Sequence, residues 1–326
     1  MNLNYIETNS NDPFYNLAFE EHLLCNRKDC DWLMLWQNSP TVVVGLNQNT
    51  NEEINRSFIE EHGINVVRRT TGGGAVFHDL SNLNYSFITD AQTGTELSIE
   101  YFSRPVCRVL EQLGVHAYTS GRNDILVAGK KISGVAQRIY DGRILHHGTL
   151  LISSDVGMLS NALRADPDKF ASKSTKSVAS RVGMLSHYLP EGTDTEDVKK
   201  AIIAELLSGG TEKVELSPTE LEKVEQLAEN KYRSWEWNYG CSPEYNYTNK
   251  ARFEGGSLCL MLQIQEGKIC SAGISGDFMA TDSIDPLIQT LIGLRFERRE
   301  IAAAIAEMNL RPFIGTITSE EFLSLI

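Results

Sequence analysis

The sequence predicts an α+β protein: a large domain with a mixed β-sheet flanked by helices over residues 1–245, then a small α+β domain over 246–326. Three observations carry that reading. Short β-branched and aromatic runs alternate irregularly with helical stretches, which argues for a mixed rather than a doubly wound sheet. The 326 residues are 41% hydrophobic and 22% charged, enough for a sizeable core. The turn-like Ser242-Pro243-Glu244-Tyr245-Asn246 reads as a linker.

The elements follow in order. Asp12-Pro13 starts a helix whose apolar side carries Leu17, Ala18, Leu23 and Leu24. Trp32–Trp36 and Thr41–Leu46 read as strands around the Asn38-Ser39-Pro40 turn. Asn51–His62 reads as one helix closed by Gly63, and Ile64–Val67 as a strand. Ala75–Ile88 is a long strand interrupted at 79–82. A helix spans about 98–113, with Pro105 forcing either a later start at a Ser103 cap or a kink. Asp124–Ala128 and Lys131–Arg138 form a hairpin, and Ile144–Ser153 a further strand. Residues 155–171 suggest short helices and Ser172–Arg181 a mobile polar loop; Asp194–Leu207 and Pro218–Lys231 are helical. In the small domain, Leu258–Ile264 and Ile269–Gly276 make a hairpin, followed by helices near 284–292, 298–308 and 319–325.

Composition excludes several classes. A net charge of −13 lacks the basic footprint of a nucleic-acid binder. No apolar run spans a bilayer, and no secretory or transit signature opens the chain, so a cytoplasmic location is expected. Six scattered cysteines without a CxxC pair read as free thiols.

Against the acidic trend, 121–143 gathers Arg122, Lys130, Lys131, Arg138 and Arg143, as an anion site would. Upstream, Gly72-Gly73-Gly74 gives a loop of exposed amides that suits oxyanions or a nucleotide, although alone it fits a hairpin turn equally well. It is neither a P-loop nor a dinucleotide fingerprint, for lack of a following Lys-Ser/Thr or helix. Arg69 stands before the loop, able to fork onto phosphate. Lys131, followed by small residues, can follow migrating charge, and Asp124 is the candidate Mg²⁺ ligand. Adjacent His146 and His147 on a strand face opposite ways and do not chelate one ion; His146 reads as structural. Trp36 is a candidate for an apolar pocket, and Trp235 and Trp237 for core packing.

Arg69-x-x-Gly-Gly-Gly-Ala-Val-Phe-His-Asp79, Lys131-x-x-Gly134-x-Ala136 and His147-Gly-Thr-Leu150-Leu151 resemble, in order, the three signature motifs of lipoate–protein ligases. The likeness extends to Asp12–Glu21, Trp36–Asn38 and Ser234–Gly240, and the C-terminal part resembles the accessory domain of the long single-chain form. Motif spacing singles out Lys131 over Lys130; Ser81 departs from an expected Gly.

The resemblance implies a biotin/lipoate ligase-like fold and a two-step reaction of ATP, Mg²⁺ and (R)-lipoate through lipoyl-AMP. It implies that Gly74, Ala75, Val76 and Phe77 cradle the nucleotide and that Arg69 meets phosphate. Lys131 bridges phosphate and acyl carbonyl, and Asp124 holds Mg²⁺ beside Asn123. Lys173 and Arg181 serve a lid, while Gly72, Gly73, Leu17, His147 and Lys131 contact lipoate. Expected partners are a lipoyl carrier, either a glycine-cleavage H protein or a 2-oxoacid dehydrogenase acyltransferase domain, met by a monomer. An acyltransferase of the same fold would need a cysteine nucleophile, and none lies between Cys107 and Cys241. A biotin ligase would need a Gly-Arg-Gly-Arg type loop, and a non-catalytic binder would not need Asp124.

Overall fold

The computed structural model describes residues 3–91, 98–120, 124–163, 182–207, 213–239 and 245–326. Helix α1, Pro13–Asn26, begins where the Asp12 side chain accepts from Phe14 N, with proline in the first turn. It lies on a seven-stranded mixed sheet ordered β1-β2-β6-β10-β9-β8-β7. These strands are β1 (Leu3–Glu7), β2 (Asp31–Trp36), β6 (Asn82–Asp90), β7 (Ala117–Ser120), β8 (Asp124–Val127), β9 (Lys130–Tyr140) and β10 (Arg143–Leu151). Only β1 and β2 run parallel; the other pairs are antiparallel.

Two faces of this sheet build two cores. One packs Leu33, Phe87 and Leu150 of the sheet against Val106 of helix Ile99–Gln112 and Val198 of helix Thr195–Leu206. The other packs Trp32, Met34 and Leu145 against Leu17 of α1 and Val224 of the helix Pro218–Leu227, which runs on into a π-helical turn at Ala228–Tyr232. A second sheet, ordered β4-β3-β5, covers part of that face; its strands are β3 (Thr41–Val44), β4 (Asn65–Arg68) and β5 (Val76–His78). The C-terminal unit has its own antiparallel sheet, β11 (Tyr247–Phe253), β12 (Gly256–Gln265) and β13 (Lys268–Gly276), and its own apolar core. No helix among the described residues is long and apolar enough to cross a membrane.

Several elements differ from the sequence reading for identifiable reasons. The stretch 51–62 is two short helices, Thr50–Glu53 and Arg56–His62. Ile54 between them bridges to Leu163, and the Asn55 side chain caps the second helix. Pro105 sits inside Ile99–Gln112, which starts at a Ser98 cap rather than at Ser103. Gly63 closes its helix at φ +60, as expected. Strands β1, β7 and β11 were not anticipated; each is short or alternates apolar and polar residues. Trp235 is not core: it is 55% exposed, with its ring stacked on Tyr239. The Ser172–Arg181 loop, with Lys173, lies outside the described residues, as does Asn123.

The two units meet at the glycine loop. Gly73 N donates to Phe278 O (3.1 Å), Gly276 N to Asn47 O (2.7 Å) and Ile139 N to Thr281 O (3.2 Å).

Candidate active site

A cavity of about 100 Å³ lies between the seven-stranded sheet and the β4-β3-β5 sheet. Its apolar wall is Leu17, Trp36, Val43, Val76, Val135 and Ala136; its polar groups include Arg69, His78, Asn84, Lys131, His147 and Thr149. A wider cavity of about 410 Å³ adjoins it, lined by Phe77, Asp124, Leu126, Gly129 and Val182. Ala75, Val76, Lys131, Gly134 and Thr149 belong to both, so Lys131 stands at the junction. Lys131 Nζ lies 2.7 Å from Asp124 Oδ1, both about one-third exposed. A Cβ on Gly134 would come within 3.0 Å of that Nζ, which explains the small residue three positions after the lysine.

The glycine loop is gripped from three sides. A Cβ on Gly45 would fall 2.0 Å from Gly73 O, and one on Gly72 would fall 2.8 Å from Phe278 O. Gly73 adopts φ +87, which glycine alone takes without strain. Arg69 spends its fork on this loop: Nε donates to Thr71 Oγ1 (2.9 Å), Nη1 to Val43 O (3.2 Å), and Nη2 to Gly72 O (2.5 Å) and Gly74 O (2.9 Å). Burial pulls its guanidinium down to about 10, so it stays charged at neutral pH, with Glu20 the compensating carboxylate. Arg68 is likewise consumed, donating to the carbonyls of Gly45, Leu46, Gln48 and Asn238.

Thr71 Oγ1 continues the chain to His147 Nε2 (2.8 Å), and His147 Nδ1 faces both Glu20 oxygens at 2.9 and 3.1 Å. Ser86 Oγ donates to Glu20 Oε1 (2.5 Å) and accepts from Trp36 Nε1 (3.0 Å). Both Glu20 oxygens accept from His147 Nδ1, which fixes the ring's orientation. His146 points to the opposite core, stacked on Phe102 and accepting from Gln137 Nε2, a structural role as expected.

Of the residues singled out from sequence, the structure brings Leu17, Arg69, Gly74, Ala75, Val76, Lys131 and His147 to the first cavity, and Phe77 and Asp124 to the second. Gly72 and Gly73 instead face Phe278 and Met279 of the C-terminal unit. Asn123, Lys173 and Arg181 lie outside the described residues. Sequence reasoning gave no role to Glu20, Thr71, Asn84 and Ser86. A signal existed: β6 is buried along almost its whole length, yet Asn82, Asn84 and Ser86 alternate on one face. Buried polar residues on one face require partners or a ligand.

Asp124 fits Mg²⁺, which takes one or two carboxylates and fills its shell with substrate phosphates and water. The carboxylate stands on the wall of the wider cavity, beside Lys131.

This pair of cavities, meeting at one lysine beneath a glycine loop, is the frame of an acyl-activating enzyme. The chain belongs to the lipoate–protein ligase family: residues 12–207 match the lipoyl protein ligase A/B catalytic domain, and residues 242–326 match the bacterial lipoate protein ligase C-terminus. It is 41% identical over 323 residues to the lipoate-protein ligase LplJ of Bacillus subtilis, covering 98% of each chain. A crystal structure of lipoate-protein ligase A bound with ATP is 26% identical with a TM-score of 0.63, covering 73% of this chain and 98% of that one. A Thermoplasma acidophilum lipoate protein ligase structure with bound lipoic acid is also 26% identical, with a TM-score of 0.63 and coverage of 74% and 100%.

Proposed function

We propose that this protein is an ATP-dependent lipoate–protein ligase: it converts lipoate and ATP to lipoyl-AMP and pyrophosphate, then passes the lipoyl group to a carrier lysine. The carrying observation is Lys131 at the junction of a narrow apolar cavity and a wider one. The narrow cavity suits the acyl tail and the wider one the nucleotide, so lipoate's carboxylate and ATP's α-phosphate meet at Nζ. In the first step a carboxylate oxygen attacks the α-phosphate and pyrophosphate leaves. In the second the carrier amine attacks the acyl carbon, and AMP leaves.

Lys131 neutralises charge on the transferring oxygens in both steps, once lifted from Asp124. Asp124 would hold Mg²⁺, and the family motif assigns Asn123, outside the described residues, to the same ion; when bound, it would supply charge neutralisation on the phosphates. Ala75, Val76 and Phe77 line the nucleotide side and Gly74 the acyl side; the family motif assigns Lys173 and Arg181, outside the described residues, to the phosphates, and Arg69 acts through the loop it braces. Chemistry of this kind is mostly positioning, with no covalent protein intermediate. The absence of a cysteine between Cys107 and Cys241 supports this reading over ATP-independent acyl transfer through a thiolate.

Residues 1–245 form the catalytic unit and 246–326 the accessory one, a division supported by the separate sheet beginning at Tyr247. The acceptor is a glycine-cleavage H protein or a 2-oxoacid dehydrogenase acyltransferase domain, modified in the cytoplasm by a monomeric ligase. Lipoate-dependent exchange between ATP and labelled pyrophosphate tests the first step. Lipoyl transfer from free lipoate that proceeds as well without ATP as with it would overturn the proposal.

A further inference from the structure

The first cavity crosses the sheet along a row of facing residues. Trp36 on β2 opposes Asn84 on β6, and Asn84 opposes Thr149 on β10. Thr149 Oγ1 in turn accepts from Gly134 N on β9, next to Lys131. Strands lie about 4.8 Å apart, so the row spans roughly 14 Å from the Lys131 end to the Trp36 end. A carboxylate held at Lys131 therefore sends its tail across the sheet toward Trp36. His78 sits at that far end, edge-on to Trp36 at 6.0 Å.

Two side chains there present polar atoms with no partner among the described residues. The first is His78 Nε2, on a residue 3% exposed. Its state follows from what backs it. Asn16 Nδ2 donates to the carbonyls of Ser10 and Gln37 and faces Asn38 Oδ1 at 2.9 Å. That orients the Asn38 amide so that Nδ2 meets His78 Nδ1 at 3.1 Å, making Nδ1 an acceptor. Burial, with Arg69 and His147 adding to it, holds the imidazole down to about 3, so the ring is neutral and its proton is on Nε2. The second is Asn84 Nδ2, on a residue 1% exposed, whose Oδ1 already accepts from Asn82 Nδ2 at 2.8 Å. Both residues line the cavity.

A buried donor left unpaired is costly, and a plain alkyl tail leaves both so. A tail ending in a disulfide ring brings sulfur lone pairs, which are weak acceptors. We propose that His78 Nε2 and Asn84 Nδ2 recognise the sulfur-bearing end of the acyl substrate and set a preference for a dithiolane-ended acid over an alkyl-ended one. The inference rests on the proposed activity and adds its substrate discrimination. Sites built to hydrogen-bond a substrate group reject the analogue lacking it more strongly than apolar pockets discriminate by size.

The test compares kcat/KM for lipoate and for octanoate in ATP–pyrophosphate exchange. Wild type favours lipoate, and His78→Phe and Asn84→Leu each cut that ratio about five- to tenfold, the scale of one weak buried hydrogen bond. Damage to the fold alone moves both acids together, so a ratio within about twofold of wild type in both variants overturns the proposal. A measurement on the unaltered protein stands behind the variants. In ¹⁵N-labelled enzyme the His78 Nε2–H resonance shifts on saturation with lipoate but not with octanoate; equal shifts with both overturn the proposal. Exchange with neither acid in wild type removes the functional reading instead, while the resonance still reports on recognition of the two tails.

Discussion

Replacing Arg69 separates two roles that the sequence leaves merged, ligand contact and loop brace. The guanidinium makes four hydrogen bonds, three of them to backbone carbonyls of Val43, Gly72 and Gly74. Arg69→Met removes all four and leaves Glu20 without its compensating charge. Leaving buried acceptors without their donor costs about 1–3 kcal/mol each, about 3–5 kcal/mol for the set once the loop relaxes. At about 2–4 °C per kcal/mol for a chain of this class, the melting temperature falls by roughly 6–20 °C. Arg69→Lys keeps the charge but not the fork, and falls between. Calorimetry of the three proteins, run beside lipoate-dependent pyrophosphate exchange, reads both roles. A melting temperature within about 2 °C of wild type in Arg69→Met, together with lost exchange, would refute the brace and return Arg69 to the ligand.

Lys131→Ala should lower lipoate-dependent exchange by about 10²–10³-fold, the scale of one lost electrostatic contact to a developing charge, with melting changed little because its ion pair is partly exposed. Gly72→Ala should destabilise by about 1–3 kcal/mol, because its new methyl meets Phe278 O at 2.8 Å and Ala280 N at 3.0 Å; a differential scan against Gly63→Ala, strained by φ but unobstructed, checks that obstruction. His78 and His146 are both held down to about 3 by burial. Their folded state refuses protons that the unfolded chain takes up below about pH 6.5, so stability is full above that pH and falls as pH drops toward 3. Between pH 6 and 5 the slope from the pair should approach about 2.7 kcal/mol per pH unit, and His146→Phe should halve it in denaturant titrations.

Much of the frame was legible because its signals are local. Asp12-Pro13, Ser217-Pro218-Thr219-Glu220 and Gly63 each mark a helix end by side-chain or backbone chemistry that needs no distant partner. Lys131 stood out by the small residues that follow it and by motif spacing, and Asp124 as a carboxylate suited to Mg²⁺; the ion pair between the two is visible only in the fold. The roles of Glu20 and Thr71 were not legible. Glu20 lies 127 residues from His147 and 66 from Ser86, so nothing in its neighbourhood announces what it will meet. The break at Ile54 was hidden for the same reason, since it is imposed by pairing with Leu163. Arg69 was read as a fork onto phosphate, whereas in the fold that fork is spent on Thr71 and on the carbonyls of Val43, Gly72 and Gly74.

A loop built from three glycines carries no side chains with which to hold its own form. That form is stored elsewhere: in a neighbouring turn too close for a Cβ at Gly45, in the arginine that precedes it, and in a carbonyl contributed by Phe278, some two hundred residues downstream. Heritable change in the geometry of the reactive centre therefore need not touch the reactive centre. Substitutions in the stretch 276–281, far along the gene and outside the catalytic sheet, are positioned to retune it, while Gly72 itself has almost no freedom to vary.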